Sequence, residues 1–263
     1  MSSEKRILPF LLILILLCSC SIKEDREECP SYLGLDLTHV KVSVLESLGL
    51  ETLDIHVSDL SAPSYQTKAF RLRNLPDSVW LPVHKGEAGF MVLCGSGSEY
   101  LDRDGIVIPE GQECPVVFGY GRHYEASEEL YRDTVLLHKH SCMLNIRFVN
   151  RGNYEVEVEG GVNGLDWLLR PIEGLFSFKA STGGGDTVSI CLPRQLDSSL
   201  LMKVSAGGKA SSYFKLGAYL ERSGYDWNSP DLEDISLSVN YTSSVITFRL
   251  DNDSKRYSLD VAI

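Results

Sequence analysis

Positive charge is scarce in this chain. Its 25 lysines and arginines stand against 36 aspartates and glutamates, giving a formal net charge of −11 over 263 residues. No basic stripe is available to displace phosphate counterions, so a nucleic-acid partner is excluded. Catalytic signatures are missing as well. There is no GxSxG, HExxH, P-loop or dinucleotide fingerprint, and neither an enzyme activity nor a cofactor is expected. No CxxC or Cys/His spacing marks a metal site. Helical periodicity is nearly absent: Ala126–Tyr131 and Leu165–Leu169 are each long enough for a single turn. The one long apolar run, Ile7–Leu17, falls well short of the roughly 20 residues that span a bilayer.

That run is the middle of an export signal. Lys5-Arg6 supply its basic tip, and Leu17-Cys18-Ser19-Cys20 supply the small residues at the cut. Leu17, Ser19 and Cys20 at −3, −1 and +1 resemble a bacterial lipobox, with Cys18 an unusual choice at −2. The resemblance implies a signal peptide of residues 1–19, diacylglycerol on the Cys20 sulfur and an acyl chain such as palmitate on its new amino group. Two or three chains hold where one exchanges, because each buried CH₂ contributes about 0.8 kcal/mol. Ser21, in place of Asp, looks like outer-membrane routing. Lys23-Glu24-Asp25 with Glu27-Glu28 is similar to the surface-export signals of some anaerobic Gram-negative bacteria. Like charges also repel and stay extended, so residues 20–30 read equally as a solvated, lipidated tether.

Beyond the tether the chain alternates with period two. Leu33, Leu35 and Leu37 are followed by Val40, Val42 and Val44, then by Leu53, Ile55 and Val57. Val79-Trp80-Leu81 and Phe90-Met91-Val92-Leu93 read as strands buried on both faces. Cys142, Leu144, Ile146 and Phe148 alternate in the second half, as do Tyr154, Val156 and Val158, and later Phe214, Leu216, Ala218 and Leu220. Short runs of this kind, punctuated by Gly, Pro and Asp, predict an all-β sandwich architecture. The loop-rich Gly119–Glu125 precedes a boundary near Arg132–His140. The expected division is an N-terminal sandwich over 31–136 and a C-terminal one over 137–263, with no repeat clear enough to signal duplication.

Seven cysteines leave five after Cys18 and Cys20: Cys29, Cys94, Cys114, Cys142 and Cys191. An oxidising envelope permits disulfides, but an odd number leaves one thiol unpaired. A bridge from Cys29 to Cys94 or Cys114 is one arrangement; Cys142 and Cys191 sit at strand-like positions where a thiol packs as a small hydrophobe. His138 and His140 flank Lys139 at strand spacing, the pattern of a metal pair or of a polar strand face. Glu155, Glu157 and Glu159 form a row that binds calcium in some proteins and is a solvated face in most. Asp77-Ser78-Val79, Asp133-Thr134-Val135 and Asp186-Thr187-Val188 resemble a short O-glycosylation acceptor.

The opening segment Cys20–Pro30, with its acidic stretch and closing Cys29-Pro30 pair, resembles the start of the FimB/Mfa2 family of fimbrial anchor proteins. Gly89–Gly95, His138–Ile146 and Gly160–Leu165 look like that family's buried strand, its entry into the second domain and its glycine-rich turn. Cys94 departs from it, standing near where the family often carries a large aromatic. The resemblance implies two tandem transthyretin-like β-sandwiches and a role at the base of a surface fimbria. It implies two attachments: the outer membrane through lipid, and a fimbrial stalk subunit whose polymer the anchor holds and limits in length.

The end of the chain suits a strand donor. Tyr257, Leu259, Val261 and Ile263 alternate to the last residue, and an extended segment can add to an open sheet edge. The same residues also read as a hairpin closing the second sandwich. Two rival functions remain: a fimbrial tip or stalk subunit, and a surface glycan-binding lipoprotein. The latter needs exposed aromatics, for which Tyr225-Asp226-Trp227-Asn228 is the expected platform and Trp80, in a buried-looking strand, is not.

Overall fold

The computed structural model describes residues 31–59, 65–83, 85–95, 99–102, 104–126, 129–207, 211–241, 245–252 and 255–262. They form two β-sandwiches in tandem. The first contains β1 (Ser31–Asp36), β2 (Thr52–Asp59), β3 (Tyr65–Arg71), β4 (Ser78–Val83), β5 (Gly86–Gly95), β7 (Val117–Ala126), β8 (Leu130–Thr134) and β9 (His138–Lys139), while β6 (Gly105–Val107), between β5 and β7 in the chain, joins the second. The second contains β10 (Ser141–Phe148), β11 (Tyr154–Asp166), β12 (Pro171–Ser181), β13 (Thr187–Pro193), β14 (Leu201–Ala206), β15 (Ser212–Phe214), β16 (Ile235–Tyr241), β17 (Val245–Asn252) and β18 (Lys255–Ala262). The expected all-β, two-sandwich class is met.

Both halves repeat one topology. In the first, the sheets run β4-β1-β8 and β3-β2-β5-β7-β9; in the second, β13-β10-β16-β17-β18 and β12-β11-β14-β15, with β6 added to β11. Each opening strand lies antiparallel to the fourth of its half and parallel to a late one: β1 with β4 and β8, β10 with β13 and β16. The repeat extends to the turns. The Asp77 carbonyl accepts from the Leu37 amide at 2.8 Å, and the Asp186 carbonyl accepts from Phe148 at 2.7 Å. The Asp77-Ser78-Val79 and Asp186-Thr187-Val188 triplets thus open equivalent strands, and the molecule carries a duplication that its sequence hardly shows.

Period-two burial holds where the sheets are two-layered. In β4 the pattern is strict, with Val79, Leu81 and Val83 inside and Ser78, Trp80 and Pro82 outside. This corrects the expectation that Trp80 is buried: β4 is an edge strand whose outer face is open, as the tolerated Pro82 also indicates. Phe90–Leu93 in central β5 is buried on both faces as expected, its second face lying against the other half of the molecule.

Two segments read as strands are helices. Val42–Ser47 forms α1, burying only Leu45, while Val44 is left exposed. Its valines favour strand locally, but the chain must cross between sheets there, and tertiary context overrides propensity. Leu216–Arg222 forms α2; Leu216, Tyr219 and Leu220 point into the second core with the i, i+3, i+4 spacing of a helix face. Gly119–Glu125, expected as loop, lies within β7.

The halves meet closely. Met91, Leu93 and Val117 pack with Ile106, Leu165 and Leu169 in a small core of their own. β6 pairs with β11 through Leu165 and Ile106, and the strap that follows runs over the second sandwich. Ile108 donates to the Asn163 carbonyl at 2.7 Å and Gly111 to that of Ser177 at 3.0 Å. Ile108 and Cys114 therefore belong to the second core, although they precede residue 136. β9, just after that residue, pairs back with β7.

Candidate functional site

Two surfaces stand out. The first is the outer face of β4-β1-β8. Strand register puts Gly34 of β1 between Trp80 of β4 and Arg132 of β8, with Ser78, Asp36 and Thr134 forming the next row. Residues in one row point to one face of the sheet. With no side chain on Gly34, the indole occupies the space its Cβ would fill, and Gly34 itself is buried beneath it. The Arg132 guanidinium lies 5.2 Å from the Trp80 ring centroid, within cation–π range. Trp80 remains 45% exposed.

These rows border a groove of about 450 Å³ lined by Asp36, Ser78, Trp80, Arg132, Asp133 and Thr134 among others. Asp36 accepts hydrogen bonds from the Thr38 hydroxyl and amide at 2.7 and 2.9 Å, which hold its carboxyl below the usual range. Asp133 accepts from Tyr120 at 3.1 Å and from Arg122 at 3.2 Å. Asp133, opposite Leu35 in the register, thus turns its carboxylate to the other face of the sheet, and the groove's aromatic ring, cation, one fixed carboxylate and two hydroxyls suit a polar, ring-shaped ligand. The expected Tyr225–Asn228 platform is not one: Tyr225 and Trp227 are 8% and 7% exposed, stack edge to face at 4.8 Å, and belong to the second core.

The second surface is the sheet edge at β18. That strand pairs antiparallel with β17, Ile246 opposite Val261, Phe248 opposite Leu259 and Leu250 opposite Tyr257. Tyr257, Leu259 and Val261 therefore occupy positions on one face of an outermost strand, which pairs with no second strand among the described residues. Cys20, Cys29 and Ile263 lie outside the described residues.

The other sequence candidates are placed apart from these surfaces. His138 lies 3.4 Å from Asp231, while His140 turns inward, where burial lowers its pKa to about 4. Among the described residues no group of three or more His, Cys, Asp or Glu is disposed to hold a metal. The glutamate row is countered by lysines, Lys179 at 3.1 Å from Glu155 and Lys203 at 2.9 Å from Glu157. Cys94 and Cys114 are buried in different cores. Gly34 and Arg132 went unmarked in the sequence, although a glycine inside an alternating strand signals a close approach.

No protein-family model matches the sequence, and no curated protein does. Solved structures share the fold. The fimbrial anchor protein Mfa2 from Porphyromonas gingivalis is 11% identical with a TM-score of 0.55, the match covering 87% of this chain and 99% of that one. A candidate adhesin from Bacteroides ovatus is 12% identical with a TM-score of 0.56, covering 91% and 97%. A candidate polysaccharide-binding protein from Bacteroides thetaiotaomicron is 10% identical with a TM-score of 0.55, covering 88% and 98%. Among the described residues, no helix is long and apolar enough to cross a membrane.

Proposed function

We propose that this chain is a fimbrial anchor, tied to the outer membrane by lipid on Cys20 and holding the first stalk subunit at its other end. The observation that carries the reading is the placement of β18 as the outermost strand of its sheet among the described residues. Such a strand can leave its hairpin and supply backbone hydrogen bonds and alternate side chains to an open edge on a partner. Correspondence over nearly the whole length of Mfa2 supports the same reading, and so does the lipobox-like Leu17–Cys20. A role in grip rather than catalysis follows from it.

The test is in cells. Cys20→Ala should abolish labelling by a palmitate analogue and release the protein from the membrane fraction. Deleting 257–263 should leave the protein folded and membrane-bound while fimbriae are shed into the medium. Retained fimbriae with a stable, truncated protein would overturn the donor role.

A second reading is favoured by the Trp80–Arg132 groove: this face binds a surface glycan, with the indole stacking on a sugar ring. Affinity electrophoresis in bacterial and host polysaccharides checks it. Retardation that disappears in Trp80→Ala supports it, and unchanged mobility of the unmutated protein sinks it.

A further inference from the structure

The strap between the two sandwiches crosses the outer face of β10 and β13. Register sets Ser141 opposite Pro193 and Met143 opposite Cys191, so these four share that face, while Cys142 and Leu192 turn to the core. The Val117 amide donates to Ser141 Oγ at 3.0 Å, and the Cys191 amide donates to Glu113 Oε1 at 2.9 Å, pinning the strap on both sides of Cys114. The Cys114 thiol lies 3.3 Å from the Pro115 carbonyl oxygen, and Cys191 Sγ lies 3.6 Å from the same atom. Both sulfurs thus converge on the one carbonyl oxygen of Pro115. They are 5% and 3% exposed, enclosed together under the strap.

We infer that Cys114 and Cys191 form a disulfide in the exported protein, fastening the strap from the first half onto the second sandwich. The other described cysteines are not rivals. Cys142 lies on the opposite face of the sheet, and Cys94 sits in the first core. The bond forms by thiol–disulfide exchange with an envelope oxidoreductase before the strap closes. Cys191, as thiolate, attacks the oxidant's disulfide and expels one of its sulfurs. Cys114, losing its proton, then displaces the second sulfur from Cys191. Two electrons pass to the oxidant, which leaves as a dithiol, and the two protons lost by the cysteines balance it.

The experiment is a thiol map of the full chain, exported in a Gram-negative host, extracted without reductant and alkylated with N-ethylmaleimide in denaturant. The expected map links the Cys114 peptide to the Cys191 peptide and leaves Cys94 and Cys142 alkylated. Alkylation of both Cys114 and Cys191, or a bridge from either to another cysteine, overturns the assignment. Reductant should lower the melting temperature by roughly 10 °C, because the bond closes a long loop. The Cys114→Ser variant should lose that response. A wild-type melting temperature that reductant does not move overturns the fastening role.

Discussion

The Trp80 indole rests where Gly34 has no side chain: a Cβ on Gly34 would come within 2.6 Å of the ring atom Cζ3. The obstructing atom is the far end of an exposed side chain, so Gly34→Ala should displace the indole rather than unfold the sandwich. The expected cost is at most about 1 kcal/mol, the scale of a surface cation–π contact with Arg132. The indole's removal from the groove should abolish any glycan retardation that Trp80→Ala abolishes. Urea titration and affinity electrophoresis of Gly34→Ala check both.

Gly121 poses a different obstacle. A Cβ there would strike the Trp167 carbonyl oxygen and the Leu168 backbone, which belong to the turn after β11. No rotamer relieves a backbone clash, in contrast to nearby Gly119, whose Cβ position lies 2.6 Å from a side-chain methyl, Leu169 Cδ1. Gly121→Ala should therefore force the two sandwiches apart and cost about 3 kcal/mol, the upper end of overpacking penalties. Denaturant unfolding measures it. A loss as small as that of Gly34→Ala would show that the junction yields.

The glycines of β7 illustrate how far the sequence was legible. Gly119-Tyr120-Gly121 looks like loop when glycine is taken only as a breaker; in the structure it is strand, stripped of side chains to admit the other half. Alternation revealed the strands wherever one face met a core and the other met water, as in β4. It misled where the same residues also fitted a helix, as Phe214–Leu220 did, because the docking surface that decides lies far off in sequence. The groove was partly legible, since Leu33-Gly34-Leu35 already marks a close approach. Its assembly from β1, β4 and β8 was not, for only the parallel pairing of β1 with β8 brings Arg132 beside Trp80.

His56 makes stability depend on pH. It is 2% exposed on β2, its Nδ1 lies 2.9 Å from Thr67 Oγ1, and burial lowers its pKa from 6.5 to about 4. Between those values the unfolded chain binds a proton that the folded chain refuses. Stability is therefore full above pH 6.5 and falls as pH drops towards 4. The loss from this residue amounts to roughly 3 kcal/mol at most. His140, lowered to about 4 chiefly by burial and also by Arg194, adds a slope of the same sign. His56→Gln should flatten part of the decline between pH 6.5 and 4, as followed by urea midpoints across that range. An unchanged slope would mean that His56 already takes up its proton in the folded state.

Arg194 holds the loop that follows α2. Its buried guanidinium donates to the carbonyls of Trp227 and Ser229 through one nitrogen and to those of Pro230 and Lys139 through the other. Burial lowers its pKa, an effect opposed by Tyr225, Asp226 and Asp231. Arg194→Met keeps much of the volume but strands these carbonyls, and hydrogen bonds to a charged group contribute about 1.5–3 kcal/mol each. Because water can reach part of the loop once it loosens, the net loss should be about 3 kcal/mol rather than the full sum. Arg194→Lys should recover less than half, since a compact ammonium cannot span acceptors arranged around a planar fork. Urea unfolding ranks the three proteins, and near-ultraviolet circular dichroism reports whether the Tyr225–Trp227 pair stays ordered. Equal stability of the lysine variant and the unmutated protein would show that charge alone, not the fork, secures the loop.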